Sequence, residues 1–432
     1  MKNKNGSVSP ARVAALGFTL LGIQPAHATD GYFADGYGPK AEGRAGVSIA
    51  ETDDAFGGAN NPATISWTSN RFDFDLDWFN PVRTALRTGA TGPAAALNGS
   101  IRSTRDNFFI PGIALKDSIS SDVSLGLTIY GNGGMNTDYP RGQLDLGPGA
   151  TQQNLLAGSG HLGVNLSQLL IAPTVSWQFA GNQSVGLAPI IAYQQFQAYG
   201  LNSFAGLSQD PAALTDQGTD HAWGASVRLG YLWNVTPKIS LGTEYSSEVF
   251  SQRFNRYRGL FAGSGSFDIP QTVGAGVAWQ ALERLRLGLD YKWIDYADIP
   301  AVGNPSSNPG LLGQSSGPGF GWRSISVVKL GADLKVAQNW TLRTGFSYNE
   351  NPVRSSDVTF NILAPAVTQY QLTAGITYST GWHELTASYV HAFYNSLTGE
   401  SQFVALGKAP PGTLEEISMS QNLFSLAYSY KF

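Results

Sequence analysis

The sequence lacks cysteine and has few charged residues, and each absence excludes a class of protein. With no Cys among 432 residues, disulfide scaffolds and thiolate metal sites are excluded. Charged residues make up 13% of the chain, and a formal net charge of −4 indicates no basic surface for nucleic acid. The five His residues are scattered without metal-ligand spacing, so we expect no metal site.

Long apolar runs are also missing. Outside the first 28 residues, no stretch reaches the ~18 uninterrupted apolar residues that a membrane-spanning helix needs. The shorter apolar run at residues 13–23 follows a basic start and precedes Ala26-His27-Ala28, a pattern typical of a secretory signal peptide and its cleavage site. We therefore expect residues 1–28 to be a signal peptide and Thr29 to be the first residue of an exported chain.

The chain is instead rich in glycine and aromatic residues. It has 51 Gly, and Phe, Trp and Tyr make up 12% of the sequence, at a mean hydropathy of −0.12. Residues 71–81 read RFDFDLDWFNP, so that large apolar side chains alternate with aspartates on the two faces of a strand. This alternation recurs over stretches of about nine residues or more, which is the length that a tilted membrane strand needs.

Counting such stretches predicts about fourteen strands. They lie near residues 71–81, 106–116, 122–131, 166–179, 184–198, 221–234, 238–253, 267–280, 284–296, 323–336, 339–350, 366–379, 382–396 and 421–432. Their connections alternate between short and long, as in outer-membrane barrels with short periplasmic turns and long external loops.

The last strand ends in Phe432, which resembles the C-terminal signature of bacterial outer-membrane barrels and implies barrel-insertion machinery as a partner. We predict an all-β fold, a transmembrane antiparallel β-barrel of about 14 strands over residues 71–432, in the outer membrane.

Residues 29–70 lack the alternation and are rich in Gly, Ala, Asn and Asp. They bury too little apolar surface to form a core of their own. An empty barrel of this size would be a water-filled pore. We therefore predict that residues 29–70 form a plug, or hatch, inside the lumen; the alternative is a flexible extension.

Sequence signals for catalysis are weak. Residues 313–317 match G-x-S-x-G by letter, but a nucleophile elbow needs a strand before it and a helix after it, and Pro318-Gly319 follows here. No phosphate-binding loop or dinucleotide fingerprint occurs. We predict no catalytic site and no cofactor, and we expect the protein not to be an enzyme.

Several motifs together resemble one family. Residues 42–46 (EGRAG), 53–55 (DDA) and the triplet Asn61-Pro62-Ala63 resemble the N-terminal hatch of the FadL family of outer-membrane transporters for hydrophobic compounds. Residues 267–279, followed by residues 285–293, look like the mid-barrel strand pair of that family. The resemblance spans essentially the whole mature chain.

The resemblance implies passive uptake of a hydrophobic compound such as a long-chain fatty acid. External loops would capture the ligand, the hatch would rearrange, and the ligand would leave sideways beside a kink in the third strand. Here that strand runs into Gly131, Gly133 and Gly134, which would permit a bend; the same glycines could instead begin the external loop. An uptake channel for aromatic or alkane hydrocarbons in the same family, and a general porin, remain as alternatives.

Candidate ligand contacts come from the third and fourth external loops, by analogy with the family, and from cations expected in the lumen. The apolar candidates are Phe204, Leu207, Leu214, Tyr257, Leu260 and Phe261, and the cationic ones are Arg256, Arg258, Arg228 and Arg343. The arginines could meet a carboxylate head group, or the loop arginines could bind lipopolysaccharide phosphates. A monomer is expected.

Overall fold

The structure is a computed structural model that describes residues 30–51, 53–141, 144 and 152–432. The predicted signal peptide, residues 1–28, and the predicted first mature residue, Thr29, lie outside the described residues.

Fourteen long strands form one closed antiparallel barrel, in which the last strand pairs with the first. The strands are β1 Arg71–Thr88, β2 Phe108–Ser118, β3 Val123–Tyr139, β4 Leu162–Ala180, β5 Gln183–Tyr199, β6 Asp220–Thr236, β7 Ile239–Ser246, β8 Thr272–Leu282, β9 Leu285–Ile294, β10 Ile325–Ala337, β11 Trp340–Asn349, β12 Tyr370–Thr380, β13 His383–Glu400 and β14 Leu414–Lys431. Two short strands, Gly99–Arg102 and Phe250–Ser251, pair with β1 and β6. The predicted barrel and its strand number are therefore confirmed.

Helical segments are short and lie in the connections and ahead of β1. The α-helical ones are α1 Pro39–Glu42, α2 Gly57–Asn60, α3 Ala262–Gly265, α4 Pro300–Gly303, α5 Val358–Asn361 and α6 Gln402–Ala405, and the 3₁₀ ones are Pro62–Trp67, Gly92–Leu97, Asn202–Leu207, Pro211–Ala213, Asn255–Tyr257, Tyr296–Asp298 and Ser355–Asp357. None of the helices in the described chain is long and apolar enough to cross a membrane.

The alternation predicted for β1 separates its two faces as expected. Phe74 and Trp78 are about 40% exposed on the outer face (40% and 41%), whereas Asp73 and Asp77 are buried on the inner face. The same pattern runs along β14, whose Phe424 and Tyr428 point outward while Ser425 and Ser429 are buried. An apolar outer band and a polar interior are what a barrel in lipid requires.

Short turns and long loops lie at opposite ends of the barrel. β4 and β5, for example, are joined by residues 181–182 at one end, whereas β9 and β10 are joined by residues 295–324 at the other. β1 begins at the short-turn end, and β14 ends there. At this end the Phe432 amide donates to the Asn70 carbonyl over 3.1 Å.

Several strands extend farther into the long-loop end than the sequence predicts, and one of them is β1, which continues to Thr88 instead of residue 81. β3 continues to Tyr139 instead of stopping near residue 131, and β14 begins at Leu414 instead of residue 421. The added residues lie beyond the apolar outer band, so their side chains carry no lipid-facing alternation. Their backbone pairing with β4, β1 and β13 makes them strand.

The described residues that precede β1, from Asp30 onward, are almost wholly buried. Their hydrogen bonds reach widely separated strands: the Ala55 amide donates to Asp73 on β1, Ser66 to Ser176 on β4, the Ile49 amide to Asp290 on β9, and the Ala45 amide to Thr373 on β12. A segment bonded to all these inner faces lies in the lumen. We call residues 30–69 the lumen segment.

Candidate functional site

The Asn61-Pro62-Ala63 triplet is fixed to the inner wall through the Asn61 side chain. Its amide nitrogen donates to the carbonyls of Ile49 (2.7 Å) and Tyr231 on β6 (3.2 Å), and its amide oxygen accepts from the Ala63 amide (3.0 Å). Asn61 thereby caps the 3₁₀ helix that Pro62 begins. The triplet is thus a rigid turn that joins two parts of the lumen segment to one strand.

Strand glycines let the lumen segment approach this closely. A Cβ atom at Gly230 on β6 would lie 2.0 Å from the Asn61 amide oxygen, and one at Gly186 on β5 would lie 2.2 Å from the Pro62 carbonyl carbon. These distances are too short for any side chain. The high glycine content of the strands therefore has a local cause, because the segment fills the space that side chains would occupy.

A network of partly buried ion pairs holds the lumen segment near the short-turn end. Asp53 lies 2.9 Å from Arg44, 2.7 Å from Arg286 on β9 and 3.7 Å from Arg343 on β11. Removal from water would raise the pKa of Asp53, but these three guanidinium groups outweigh that effect and hold the pKa well below its usual range. Asp333 on β10 closes the network with contacts to Arg44 (2.8 Å) and Arg286 (2.8 Å).

The barrel wall has an opening between β2 and β3. Their pairing starts at the short-turn end and stops at Ile113 opposite Ile129. Farther along, the Thr104 amide donates to the Asp138 carbonyl over 2.8 Å. Between these two points the described chain has no ladder between residues 105–112 and 130–137, and Pro111 has no N–H to donate. We call this interruption the wall opening.

β3 bends inward beside the wall opening and bonds to the lumen segment. Its register against β4 shifts between Gly131 and Gly133, so that Asn132 is an extra residue, a β-bulge. The Asn132 carbonyl accepts from the Ala34 amide (3.1 Å), and the Gly134 amide donates to the Tyr32 carbonyl (3.3 Å). The glycines singled out from the sequence therefore lie inside a strand, and the first residues of the lumen segment use the backbone groups that β2 leaves unpaired.

The Asn132 side chain stabilises this bulge from both sides. Its amide oxygen accepts from the Tyr37 hydroxyl (2.8 Å), and its amide nitrogen donates to Gln168 on β4 (2.9 Å). The Tyr37 ring packs on Tyr130, with centroids 4.3 Å apart. The lumen segment is thus coupled directly to the strand that borders the wall opening.

Four cavities concern us: a surface groove at the long-loop end beside Leu207, Leu311 and Leu406, an inner cavity beside Leu156, Leu201 and Leu260, a lumen cavity and a gap cavity. The surface groove and the inner cavity share Phe204, Leu312, Pro318 and Phe360 in their walls. The lumen cavity has Tyr32, Trp322 and Ala364 in its wall and shares no lining residue with the inner cavity. The gap cavity lies at the wall opening beside Pro111 and Gly131, and its inner wall includes the carboxylates of Glu42, Asp75 and Asp77.

The first two cavities are lined without charge. The inner cavity is bounded wholly by apolar side chains and glycine. The surface groove adds neutral polar groups such as Ser306 and Gln402. An apolar molecule in either cavity would therefore meet no ionic group.

The apolar residues singled out from the sequence are mostly brought together here. Phe204, Leu214, Leu260 and Phe261 border the inner cavity, and Leu207 borders the surface groove. Tyr257 does not line either cavity. It is buried, its hydroxyl donates to the Gly218 carbonyl (2.6 Å), and its ring packs on Phe196.

The four arginines singled out from the sequence border neither apolar cavity. Arg258 is exposed and pairs with Asp210 (2.6 Å), and Arg256 donates to the Gln217 carbonyl (3.0 Å). Arg228 donates to the Ala59 carbonyl and to Tyr130 (3.1 Å). Arg343 belongs to the Asp53 network. The two lumen arginines therefore hold the lumen segment, which sequence spacing could not reveal.

Arg83 on β1 is a lumen cation that the sequence reasoning missed. It is 3% exposed and borders the lumen cavity. The signal available in the sequence was its inward position in the alternation of β1, but predicted β1 ended at residue 81. The strand continues to Thr88 and carries Arg83 into the barrel.

The chain resembles known proteins over nearly its whole length. Residues 38–432 match the family described as outer membrane protein transport protein (OMPP1/FadL/TodX). Among curated proteins, it is 21% identical over 244 residues to NMB0088 of Neisseria meningitidis serogroup B, a match that covers 49% of this chain and 51% of that protein. The match thus spans only about half of that relative.

Solved structures share the fold. The toluene transporter TodX of Pseudomonas putida superposes with a TM-score of 0.67 at 18% identity, covering 94% of this chain and all of TodX (100%). A Pseudomonas aeruginosa FadL homologue gives 0.66 at 16% identity, covering 93% and 100%. The Ralstonia pickettii toluene transporter TbuX gives 0.61 at 17% identity, covering 92% and 99%.

Proposed function

Because the chain belongs to the OMPP1/FadL/TodX family of outer membrane transport proteins, we propose that it takes up hydrophobic compounds passively across the outer membrane, with small aromatic hydrocarbons as the preferred class. The observations that carry this proposal are the two adjoining uncharged cavities at the long-loop end and the wall opening between β2 and β3. The lumen segment, residues 30–69, fills the direct path through the barrel.

The proposed route begins at the cell surface. The groove at the long-loop end is rimmed by exposed Leu207, Leu311 and Leu406, which offer an apolar landing surface. A ligand moves from there through the throat at Leu312 and Phe360 into the inner cavity. Transfer from water into these apolar walls is favourable by about 25 cal/mol per Å² of apolar surface removed from water.

The proposed exit is sideways, into the membrane. An apolar molecule that left through the short-turn end would have to cross a mouth lined by Arg286, Asp333, Arg343 and other charged residues. The wall opening instead faces lipid, between Pro111 and Gly131. Movement of the lumen segment is the proposed gate, because its backbone bonds at Asn132 and Gly134 occupy the inner side of the opening.

The lining of the inner cavity favours a neutral ligand. No charged side chain borders it, and Arg228 and Arg343, the head-group partners expected from the sequence, are occupied by the lumen segment. TodX and TbuX are toluene transporters, which supports the same class. Long-chain fatty acids stay the alternative, since an acyl chain would also suit the apolar walls.

Uptake by cells tests this function. We expect a transporter-null strain that carries the gene to take up labelled toluene faster than the same strain with an empty vector. Labelled oleate is measured beside it, with heat-modifiable gel migration to verify that the barrel is folded in the outer membrane. Oleate uptake without toluene uptake would move the substrate class to fatty acids, and a folded barrel that transports neither would contradict the proposal.

A further inference from the structure

Three side-chain amides form one hydrogen-bonded chain across the inner faces of β3, β4 and β5. Asn132 donates to Gln168 over 2.9 Å, and Gln168 donates in turn to Gln194 over 2.9 Å. All three residues are fully buried (0% exposed). Because a buried amide without a partner is costly, each of these hydrogen bonds depends on the others being kept. We call Asn132, Gln168 and Gln194 the amide chain.

The amide chain joins two parts of the molecule that are far apart in the sequence. At one end, Asn132 is the extra residue of the β3 bulge beside the wall opening. At the other end, Gln194 donates to the Phe267 carbonyl (3.0 Å) and to the Ser251 hydroxyl (2.7 Å). Both acceptors belong to residues 247–271, the long loop that joins β7 to β8. The bulge is therefore anchored to an external loop.

The hydrogen bonds of the amide chain all run in one direction. Each amide oxygen accepts from the side of the lumen segment, and each amide nitrogen donates toward the β7–β8 loop. The series begins at the Tyr37 hydroxyl and ends at the Phe267 carbonyl. If one amide turned over, it would set two oxygens or two N–H groups against each other. The amides therefore keep or lose their order together, so that a change at one end affects the other.

The same loop also forms part of the wall of the inner cavity. Leu260 and Phe261 border that cavity, and the Phe261 ring packs on the Phe267 ring with centroids 4.9 Å apart. The cavity measures about 30 Å³, which is room for about two water molecules. A hydrocarbon therefore enters only if residues of the wall move. Movement of Phe261 would displace Phe267, whose carbonyl ends the amide chain.

We propose that the amide chain couples filling of the inner cavity to the width of the wall opening, with Gln168 and Gln194 as positioning residues. A ligand that displaces Phe261 draws the Phe267 carbonyl away from Gln194. The released amides let the bulge shift, and β3 moves away from β2. This inference rests on the proposed function and adds regulation to it, because the lateral exit widens when a ligand is present.

A reporter at the wall opening tests the coupling without a ligand. Since the sequence has no cysteine, Pro111→Cys places a single thiol beside the gap cavity. Its rate of reaction with a maleimide is measured on purified protein in detergent. Gln194→Met keeps the length of the side chain but removes its hydrogen bonds. We expect this change to raise the rate about 5-fold or more, as for typical coupling between two sites.

The matched control for Gln194→Met is Gln195→Met, at the next residue along β5. The Gln195 side chain lies on the opposite face of the strand, where it donates to Tyr193 (3.2 Å). We expect this change to leave the rate at position 111 as it is in the protein with the reporter alone. Equal rates in the Gln194→Met and Gln195→Met proteins would overturn the proposal.

Toluene then tests the response to a ligand. We expect saturating toluene to raise the rate at position 111 about as much as Gln194→Met does, and to raise it little further when Gln194→Met is present. Leu115→Cys is the control reporter, because it lies where β2 and β3 are already paired, and its rate should not change. Equilibrium binding of labelled toluene is measured on the same samples. Bound toluene with an unchanged rate at position 111 would overturn the proposal.

A second variant guards against misfolding, which heat-modifiable gel migration detects. Gln168→Met breaks the amide chain at its middle and should raise the rate as Gln194→Met does; a folded Gln168→Met protein with an unchanged rate would overturn the proposal. Toluene uptake by cells reports the proposed function separately. If toluene enters the cells and neither variant changes the rate, only the amide-chain inference fails. If both variants raise the rate but toluene neither binds nor enters, the proposed function fails and the coupling between loop and wall opening stands.

Discussion

Joining β2 to β3 by a disulfide between Pro111→Cys and Gly131→Cys is expected to reduce toluene uptake to the level of cells without the protein. The register that pairs Ile113 with Ile129 would, if continued, bring positions 111 and 131 opposite each other. The disulfide requires Cα atoms about 4.4–6.8 Å apart, so its formation closes the wall opening. A hydrocarbon in the gap cavity then has no apolar exit.

The absence of native cysteine makes this experiment clean. The two introduced residues have no other thiol with which to react, and reduction should restore uptake in the same preparation. The matched control is the pair Leu115→Cys with Leu127→Cys, which joins the same strands where they are already paired. Full cross-linking at positions 111 and 131, verified by mass spectrometry, with unchanged uptake would contradict a lateral exit.

The number of strands, and which side chains of each strand face lipid or lumen, could be predicted because both depend on the local alternation of apolar and polar residues. In β1 the alternation from Phe72 to Trp78 shows which side chains face lipid and which face the lumen, and this can be read without knowing the partner strands. The terminal Phe432 and the alternation of short and long connections then favour closure in a membrane. These features can be predicted without knowing which strands pair with each other.

The wall opening could not be predicted in the same way, because it is a property of pairing. Gly131, Gly133 and Gly134 were visible in the sequence, yet a glycine run is equally consistent with a loop. What makes it a bulged strand is the extra residue Asn132, whose side chain bonds to Tyr37 and Gln168, residues far away in the chain. Nothing local signals those partners.

The roles of the lumen cations also depend on distant contacts. Arg228 and Arg343 occupy inward positions, but both already contact the lumen segment: Arg228 donates to the Ala59 carbonyl, and Arg343 pairs with Asp53. Arg83 and Arg87 are both inward arginines on one strand, and only the position of Glu415 on β14 distinguishes them. Sequence reasoning can place a charge in the lumen, but it cannot tell which charge is already paired.

The second large effect is expected where the lumen segment touches glycine. Gly230→Val would put a Cβ atom 2.0 Å from the Asn61 amide oxygen and 2.8 Å from the Pro62 ring. Overpacking of this kind costs about 1–3 kcal/mol or more, and the hydrogen bonds that Asn61 makes, worth about 0.5–1.5 kcal/mol each, are lost with the displaced turn. We therefore expect the lumen segment to detach from β6.

Ion conductance in planar bilayers measures that displacement. A barrel of fourteen strands whose lumen is vacated admits water and ions, so Gly230→Val should conduct steadily where the wild-type protein does not. Gly181→Val is the control, because a Cβ atom there meets nothing within 4 Å. Low conductance from a correctly folded Gly230→Val protein would show that the triplet is not what closes the barrel.

The two experiments together separate a lateral transporter from a general porin. In a porin, ligand and ions share one path, so any change that blocks or widens the lumen moves both readouts in the same direction. Here the disulfide should stop hydrocarbon uptake without changing conductance, since the wall opening faces lipid. Gly230→Val should raise conductance while leaving the β2–β3 opening in place. Independent movement of the two readouts is possible only if apolar ligands and ions leave the barrel by different ways.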